Sequence, residues 1–441
     1  MAKNSERSAL LDFFFRNKVA ILFSLVSLLC LWISGIQVSF LIKELLTRLA
    51  RNSFLVLALI IPVIAGMGMN FSIVIGAMSA QAAVIMVTYF KLSGVVALLA
   101  TFALSLPIAI FFGWLTGKVL NRAVGQEMIT GMMLGYFANG IYQLIFLVLV
   151  GSALIPIVDP DLLLSSGVGV RNSIDLTNTI KYTMDDIIRV PAVWFLVIIG
   201  VAGCVWFIVK AVKAKKKGEP MSVNLLLAIL CAAFVGVVLM PGVYSGLMTS
   251  GSNRQPLTVP LFTFFIIFLL FLFNGVFLKT RLGQNLRTVG NSMSVANSAG
   301  INVNKMRIIA IMISTVLAAW GQIIYLQNVG TLQTMTSHES VGLYAVAAIL
   351  VGGASVRKAT NAQAIIGVVL FHTLFIVSPQ AGQALFNNAQ LGEFFRVFLS
   401  YGVIALALAL HAWERVKKNK EDVEEAGQLP PGGDAEASAK S

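Results

Sequence analysis

Apolar runs about twenty residues long follow one another through most of this chain, separated by short polar segments. Twelve can be marked, over 19–41, 54–69, 72–90, 93–116, 128–150, 191–212, 222–243, 258–278, 306–327, 342–353, 361–378 and 394–413. A helix needs about 20 apolar residues to cross the hydrocarbon layer, and most of these runs are long enough. Membrane β-barrels instead show short alternating segments. The pattern therefore predicts an all-α polytopic membrane protein with about 10–12 transmembrane helices. The second and third runs, and the tenth and eleventh, are expected to be broken or re-entrant. The first is too long for a signal-peptide core and lacks a following small-residue cleavage site, so it is expected to be retained.

The interruptions carry as much information as the runs. Residues 279–307 form a polar, basic stretch between two strongly apolar ones. Residues 151–190 are rich in Asp, Gly and Pro with little periodicity, which predicts a small cap of short helices and loops. Gly66, Gly68 and the preceding Pro62 interrupt an apolar run that continues through Met69, Asn70, Phe71 and Ser72. Backbone groups freed at such a break have to face protein or a water-filled cavity rather than lipid. Gly352 and Gly353, followed by Ala354 and Ser355, mark a second break or a tight interhelical contact. Gly113/Gly117, Gly131/Gly135 and Gly242/Gly246 are four-residue glycine pairs that allow close helix approach.

Charge adds the orientation. The 441-residue chain is 58% hydrophobic and 12% charged, with a net charge of +13. A soluble basic protein with this excess would suggest a nucleic-acid partner; in a membrane protein the distribution reports topology instead. Alternating the spans from an inner N-terminus places 23 of the 32 Lys and Arg on one side, in 1–18, 117–127, 210–221, 279–307, 353–361 and 414–441. The bias predicts both termini in the cytoplasm, 151–190 outside and 279–307 inside. Residues 1–18 then form a cytoplasmic segment, 19–413 the membrane domain and 414–441 a charged, Pro/Gly/Ala-rich tail expected to be disordered.

No catalytic constellation, cofactor motif or metal-ligand spacing emerges. His338, His372 and His411 are scattered, and Cys30, Cys204 and Cys231 lie in apolar runs as small core residues. No Asp, Glu, Lys or Arg falls near a predicted span centre, which disfavours an ion-coupled carrier. The neutral amides of Asn70, Gln81, Asn139, Gln143, Asn274 and Gln322 do fall within spans. They either join helices by hydrogen bonds or line a path for a neutral polar solute. The sequence holds no Gly-x-x-x-x-Gly-Lys-Ser/Thr phosphate loop. If ATP drives this protein, a separate subunit binds it.

Thr280-Arg281-Leu282-Gly283-Gln284, then Val289-Gly290-Asn291, then Ala296 to Lys305 with Gly300-Ile301, resembles the loop signature of bacterial ABC-importer permeases of the ribose and branched-chain amino acid type. Val346 to Ser355 is similar to the same family's Gly-Gly segment, and Gly68 to Ser72 to its first break. The ribose/galactose branch is the nearer likeness. The resemblance implies a non-enzymatic subunit of the bacterial inner membrane that imports a small polar solute, a sugar first and a nucleoside or flavin-like heterocycle second. It implies ABC ATPase subunits, a second permease copy or homologue, and an extracytoplasmic solute-binding protein as partners. Arg281, Gly283, Gly290, Asn291, Ala296 and Gly300 would couple to the ATPase, and Met69, Asn70, Phe71, Gln81 and Asn139 would form the solute path. A self-sufficient carrier or channel is the competing class. The chain departs from the family pattern in having Asn70, Gly342 and Tyr344 where acidic residues are usual, and apolar runs beyond the usual ten.

Overall fold

The computed structural model describes residues 13–15, 17–249, 256–356 and 358–399, together with 401, 402, 405, 406 and 409. The tail over 414–441 and His411 lie outside these, as does most of 1–18. The helices are α1 (Lys18–Ser34), α2 (Val38–Ala58), α3 (Ile60–Ile64), α4 (Ile73–Tyr89), α5 (Gly94–Arg122), α6 (Glu127–Leu144), α7 (Ala192–Lys216), α8 (Ser222–Leu239), α9 (Pro241–Met248), α10 (Leu261–Phe277), α11 (Arg281–Asn291), α12 (Met293–Ser298), α13 (Val303–Val329), α14 (Ser337–Val351) and α15 (Asn361–Phe386). Among the described residues, seven helices are long and apolar enough to cross a membrane, or up to eight if the bent pair α10–α11 counts as one span. α1, α4 and α14 are shorter apolar helices.

α13 is the hub, and small residues let its neighbours approach it. A Cβ built at Gly76 of α4 would lie 2.4 Å from the Thr315 carbonyl oxygen. One at Gly113 of α5 would lie 3.0 Å from the Met312 Cα, and one at Gly117 3.0 Å from the Ile308 Cα. Gly321 of α13 itself leaves room for Leu55 of α2. The Gly113/Gly117 pair thus makes the close crossing expected of it. In contrast, α7 and α8 pack largely on each other, and most of their surface is left uncovered by the rest of the chain.

Two expectations need correction. The first apolar run is not one span: Gly35 takes a left-handed φ of 62° and ends α1, and α2 starts at Val38. Helix α2 therefore carries Lys43, Glu44, Arg48 and Arg51. The charges persist because they are partnered: Arg51 Nε donates to Asn328 Oδ1, and the Arg48 guanidinium stacks 4.8 Å from the Phe375 ring centroid. Span interiors are thus less free of charge than the sequence suggested. The second correction concerns 151–190. Its described backbone forms turns and short strands, not short helices. Strand β1 (Ser173–Asp175) pairs antiparallel with β4 (Thr331–Gln333), and β2 (Arg189–Pro191) with β3 (Thr258–Pro260). Their partners come from distant loops, so local periodicity could not show them.

These pairings define one end of the bundle. Gly94 N–H donates to Thr179 O at 2.9 Å, placing the start of α5 there as well. The opposite end holds α11 and α12: Asn121 Nδ2 at the finish of α5 donates to Asn304 O at the start of α13 (2.9 Å). On that side α15 opens with a capping box, in which Thr360 Oγ1 accepts from Gln363 N (3.2 Å) and Gln363 Oε1 accepts from Thr360 N (3.0 Å). Thr360→Ala is expected to lower stability by about 1 kcal/mol, read as a small drop in apparent melting temperature in detergent.

Candidate functional site

The polar stretch after α10 folds because its caps are written into the sequence. Thr280 Oγ1 accepts from Gly283 N (3.2 Å), Ser292 Oγ from Val295 N (3.3 Å) and Asn302 Oδ1 from Lys305 N (2.9 Å). They start α11, α12 and α13 in turn. The chain bends by 74° between α10 and α11, so α11 leaves the bundle axis. Gly283, Leu286 and Val289 bury one face of α11, whereas Arg281, Gln284, Arg287 and Asn291 are exposed on the other. Ala296 of α12 is buried. Gly300, at a left-handed φ of 76°, turns the chain from α12 into α13.

The six loop residues singled out in the sequence thus fall into two groups. Arg281 and Asn291 lie on the exposed face, where a partner could be met. Gly283, Gly290 and Ala296 pack inward, and Gly300 shapes the turn. Gln284 and Arg287 share the exposed face and were missed; their three- and four-residue spacing from Arg281 and Asn291 carried the signal.

Gly290 makes the decisive contact. A Cβ there would lie 2.0 Å from the Ile64 carbonyl oxygen and 2.9 Å from Gly66 N, and one at Gly66 would lie 2.7 Å from Gly290 Cα. The loop therefore rests backbone-to-backbone on the start of the first break. That break is real: α3 ends at Ile64, Gly66 and Gly68 have φ of 77° and 70°, and helix resumes at Ile73. Asn70 holds it in shape. Its Oδ1 accepts from Ser72 N (3.1 Å) and from Ser72 Oγ, and its Nδ2 donates to Ser314 Oγ (3.3 Å), which donates to Ala58 O (3.1 Å). An amide can do both jobs; an ionised carboxylate can only accept.

Just beyond the break lies a cavity of about 480 Å³, lined by Phe71, Met132, Tyr136, Asn139, Glu339, Tyr344 and Tyr401 among others. Its lining is far more polar than that of the two larger cavities, which are almost wholly apolar. Asn139 Nδ2 donates to Glu339 Oε1 and its Oδ1 accepts from His338 Nε2 at 2.8 Å. His338 Nδ1 then lies 3.0 Å from the Gln81 carboxamide, and its ring packs 5.1 Å from that of Tyr142. Glu339 is exposed to the cavity, so its second oxygen can accept from a solute hydroxyl or N–H.

Of the five path residues, Phe71 and Asn139 line this cavity. Gln81 stands behind His338, fully buried; Met69 and Asn70 are buried in the break and do not reach the cavity. His338 and Glu339 were not singled out for the path. They sit at the first turn of α14, 199 and 200 residues from Asn139, and no local pattern joins them. Of the remaining amides, Asn274 fastens two helices, its Nδ2 donating to Leu57 O (3.1 Å), whereas Gln143 Nε2 donates within α6 to Asn139 Oδ1 (3.4 Å). His372 is buried against Phe371 and Phe375.

Residues 41–408, which include the surface helix, the broken span and the cavity, match a family described as branched-chain amino acid transport system / permease component. The chain belongs to that family. This permease is also similar to the xylose transport system permease protein XylH of Haemophilus influenzae, with 28% identity over 136 residues. A second relative is the autoinducer 2 import system permease protein LsrC of Photorhabdus luminescens, with 26% identity over 144 residues. Those stretches cover 30% and 32% of the permease, and only 34% and 42% of the two relatives. No solved structure shows a significant match.

Proposed function

We propose that this permease is the membrane subunit of an ATP-driven importer and forms the path for a small polar solute. The observation that carries the reading is the Gly290–Gly66 contact, which puts an exposed surface helix directly against the break that borders the cavity. The solute class favoured is a sugar. Glu339 and Asn139 offer charge-assisted and neutral hydrogen bonds to hydroxyls, and Phe71, Tyr136 and Tyr344 offer apolar ring faces. The same rings favour, as a second reading, a nucleoside or flavin-like heterocycle.

In this reading α11 and α12 dock on a separate cytoplasmic ATPase through Arg281, Gln284, Arg287 and Asn291. Both termini are cytoplasmic in this reading, which the Lys and Arg distribution supports. A second permease copy or a homologue completes the path, and an extracytoplasmic binding protein delivers solute to the end formed by 151–190. ATPase closure displaces α11, and the break moves with it as a rigid body.

Gly300→Glu puts a side chain where φ is 76° and a negative charge beside the docking face. In the assembled complex, ATP hydrolysis stimulated by solute-loaded binding protein is expected to fall about tenfold or more, with assembly retained. Undiminished stimulation would count against the docking assignment. Concentrative uptake by the purified chain in liposomes, driven by an ion gradient with no ATPase present, would favour a self-sufficient carrier. Mass spectrometry of the ligand retained by the copurifying binding protein identifies the solute.

A further inference from the structure

Along α6, every fourth residue differs in kind from its neighbours: Glu127, Gly131, Gly135, Asn139 and Gln143. Steps of four drift by only about 40° on a helix, so the five form a stripe that winds slowly around it. The buried residues of α6 are Gly131, Gly135, Asn139 and Tyr142, which lie on or beside this stripe; the rest are partly or fully exposed. This helix is thus held along a single edge.

Two polar fastenings sit on that edge. At the loop end, Arg307 Nη2 donates to Glu127 Oε1 (2.7 Å) and to Leu120 O (3.2 Å), while Nη1 approaches Met293 Sδ at 3.6 Å. Arg307 is fully buried, and joins α13 to the end of α5, to α12 and to α6. Twelve residues on, about 18 Å along the axis, Asn139 fastens α6 to Glu339 and His338 of α14. Between them the contact is smooth. A Cβ at Gly131 would lie 3.5 Å from Ser72 N and 3.9 Å from Ser72 Cβ, and one at Gly135 3.8 Å from Phe71 O. At both glycines the backbones meet without crowding, and the packing around them, Met128 against the Gly68 turn and Leu134, Ala138 and Tyr142 with Ile75 and Met78 of α4, is apolar, so α6 can shift across the break.

We propose that α6 is a lever linking the 279–307 loop to the cavity, with Glu127 and Arg307 as the positioning residues that drive it. Pulling the pair apart would leave a fully buried guanidinium without its carboxylate, so displacement of α12 drags α6 along. Asn139 then carries the movement to Glu339, which faces the solute. The motor behind the loop rests on the ATPase reading above; the mechanical link does not.

The test uses the full chain in lipid nanodiscs. Arg307→Met combined with Glu127→Met removes both charges at similar volume, a replacement that buried pairs commonly tolerate. Amide hydrogen exchange is compared with the unaltered chain. Faster exchange by about tenfold at 69–74 and 336–344, with α13 and α15 still protected, is expected. Change confined to 118–130 and 291–307 would overturn the lever and leave a purely local fastening.

A second variant covers failure of the first to fold. Ser72→Cys with Gly131→Cys, in a chain whose Cys30, Cys204 and Cys231 are replaced by Ala, sets two Cβ atoms about 3.9 Å apart, within disulfide range. Oxidation is expected to abolish stimulated ATP hydrolysis in the complex, and dithiothreitol to restore it. Full stimulation in the oxidised complex would refute the lever. If the unaltered complex shows no stimulation at all, the ATPase reading fails, and the exchange comparison on the chain alone still decides the lever.

Discussion

Gly290→Ala is expected to disrupt this permease although the same change elsewhere in a helix stabilises. Replacing a helical glycine by alanine ordinarily gains about 1 kcal/mol, because alanine loses less backbone entropy on folding. At Gly290 the added carbon would sit 2.0 Å from the Ile64 carbonyl oxygen and 2.9 Å from Gly66 N. Both are backbone atoms and cannot rotate aside. Overpacking against mobile side chains costs about 1–3 kcal/mol, and a clash with two backbone segments lies at or beyond the upper end. The sign therefore reverses. α11 has to lift from the break, and coupling should fall together with the apparent melting temperature. Gly275→Ala supplies the contrast: that position lies in α10 with nothing within 4 Å of a built Cβ, and its melting temperature should hold or rise. If Gly290→Ala melts as the unaltered chain does and stimulated ATP hydrolysis is unchanged, the contact does not hold the loop on the break.

Asp185→Ala is the second large effect expected. Asp185 belongs to the irregular segment between β1 and β2 yet is almost wholly buried. Its Oδ1 accepts from Thr263 Oγ1 (2.5 Å) and Gln327 Nε2 (2.8 Å), and its Oδ2 from Asn328 Nδ2. Asn328 Oδ1 in turn accepts from Arg51 Nε. One carboxylate thus ties the cap segment to α10, α13 and, through Asn328, to α2. Removing it leaves three buried donors unmatched, and each such loss costs about 1–3 kcal/mol. A loss of several kcal/mol is expected, with new proteolytic cleavage in 173–191 preceding global unfolding. Asp185→Asn keeps the shape but presents an amide among donors, so it should fall between the two. Unchanged protease resistance in Asp185→Ala would show that the strand pairings alone hold the cap.

The two sites differ in how far the sequence disclosed them. The caps of α11, α12 and α13 are local chemistry: Thr280, Ser292 and Asn302 each accept from an N–H three residues on. The four-residue stripe of α6 is local too. Asp185 looked like one of several acidic residues in an outer loop, and its burial depends on partners 78, 142 and 143 residues away. Arg307 and Glu127 read as loop charges near predicted boundaries, yet they form a buried pair 180 residues apart. Charges 43–51 suggested a loop between spans; helix α2 runs through them because distant aromatic and amide groups accept their cations.

By itself the sequence determined that this is a helical membrane protein, where its polar loop and first break lie, and in which segments its basic residues gather. Those properties follow from apolar length, glycine and proline placement, and charge distribution, each of which acts over a few residues. Only the tertiary structure decided that the loop lies against the break, that Asn139 meets His338 and Glu339, and which amides face the cavity. Such choices depend on pairing side chains far apart in sequence, where the cost of burying a polar group without a partner selects one arrangement that no local pattern encodes.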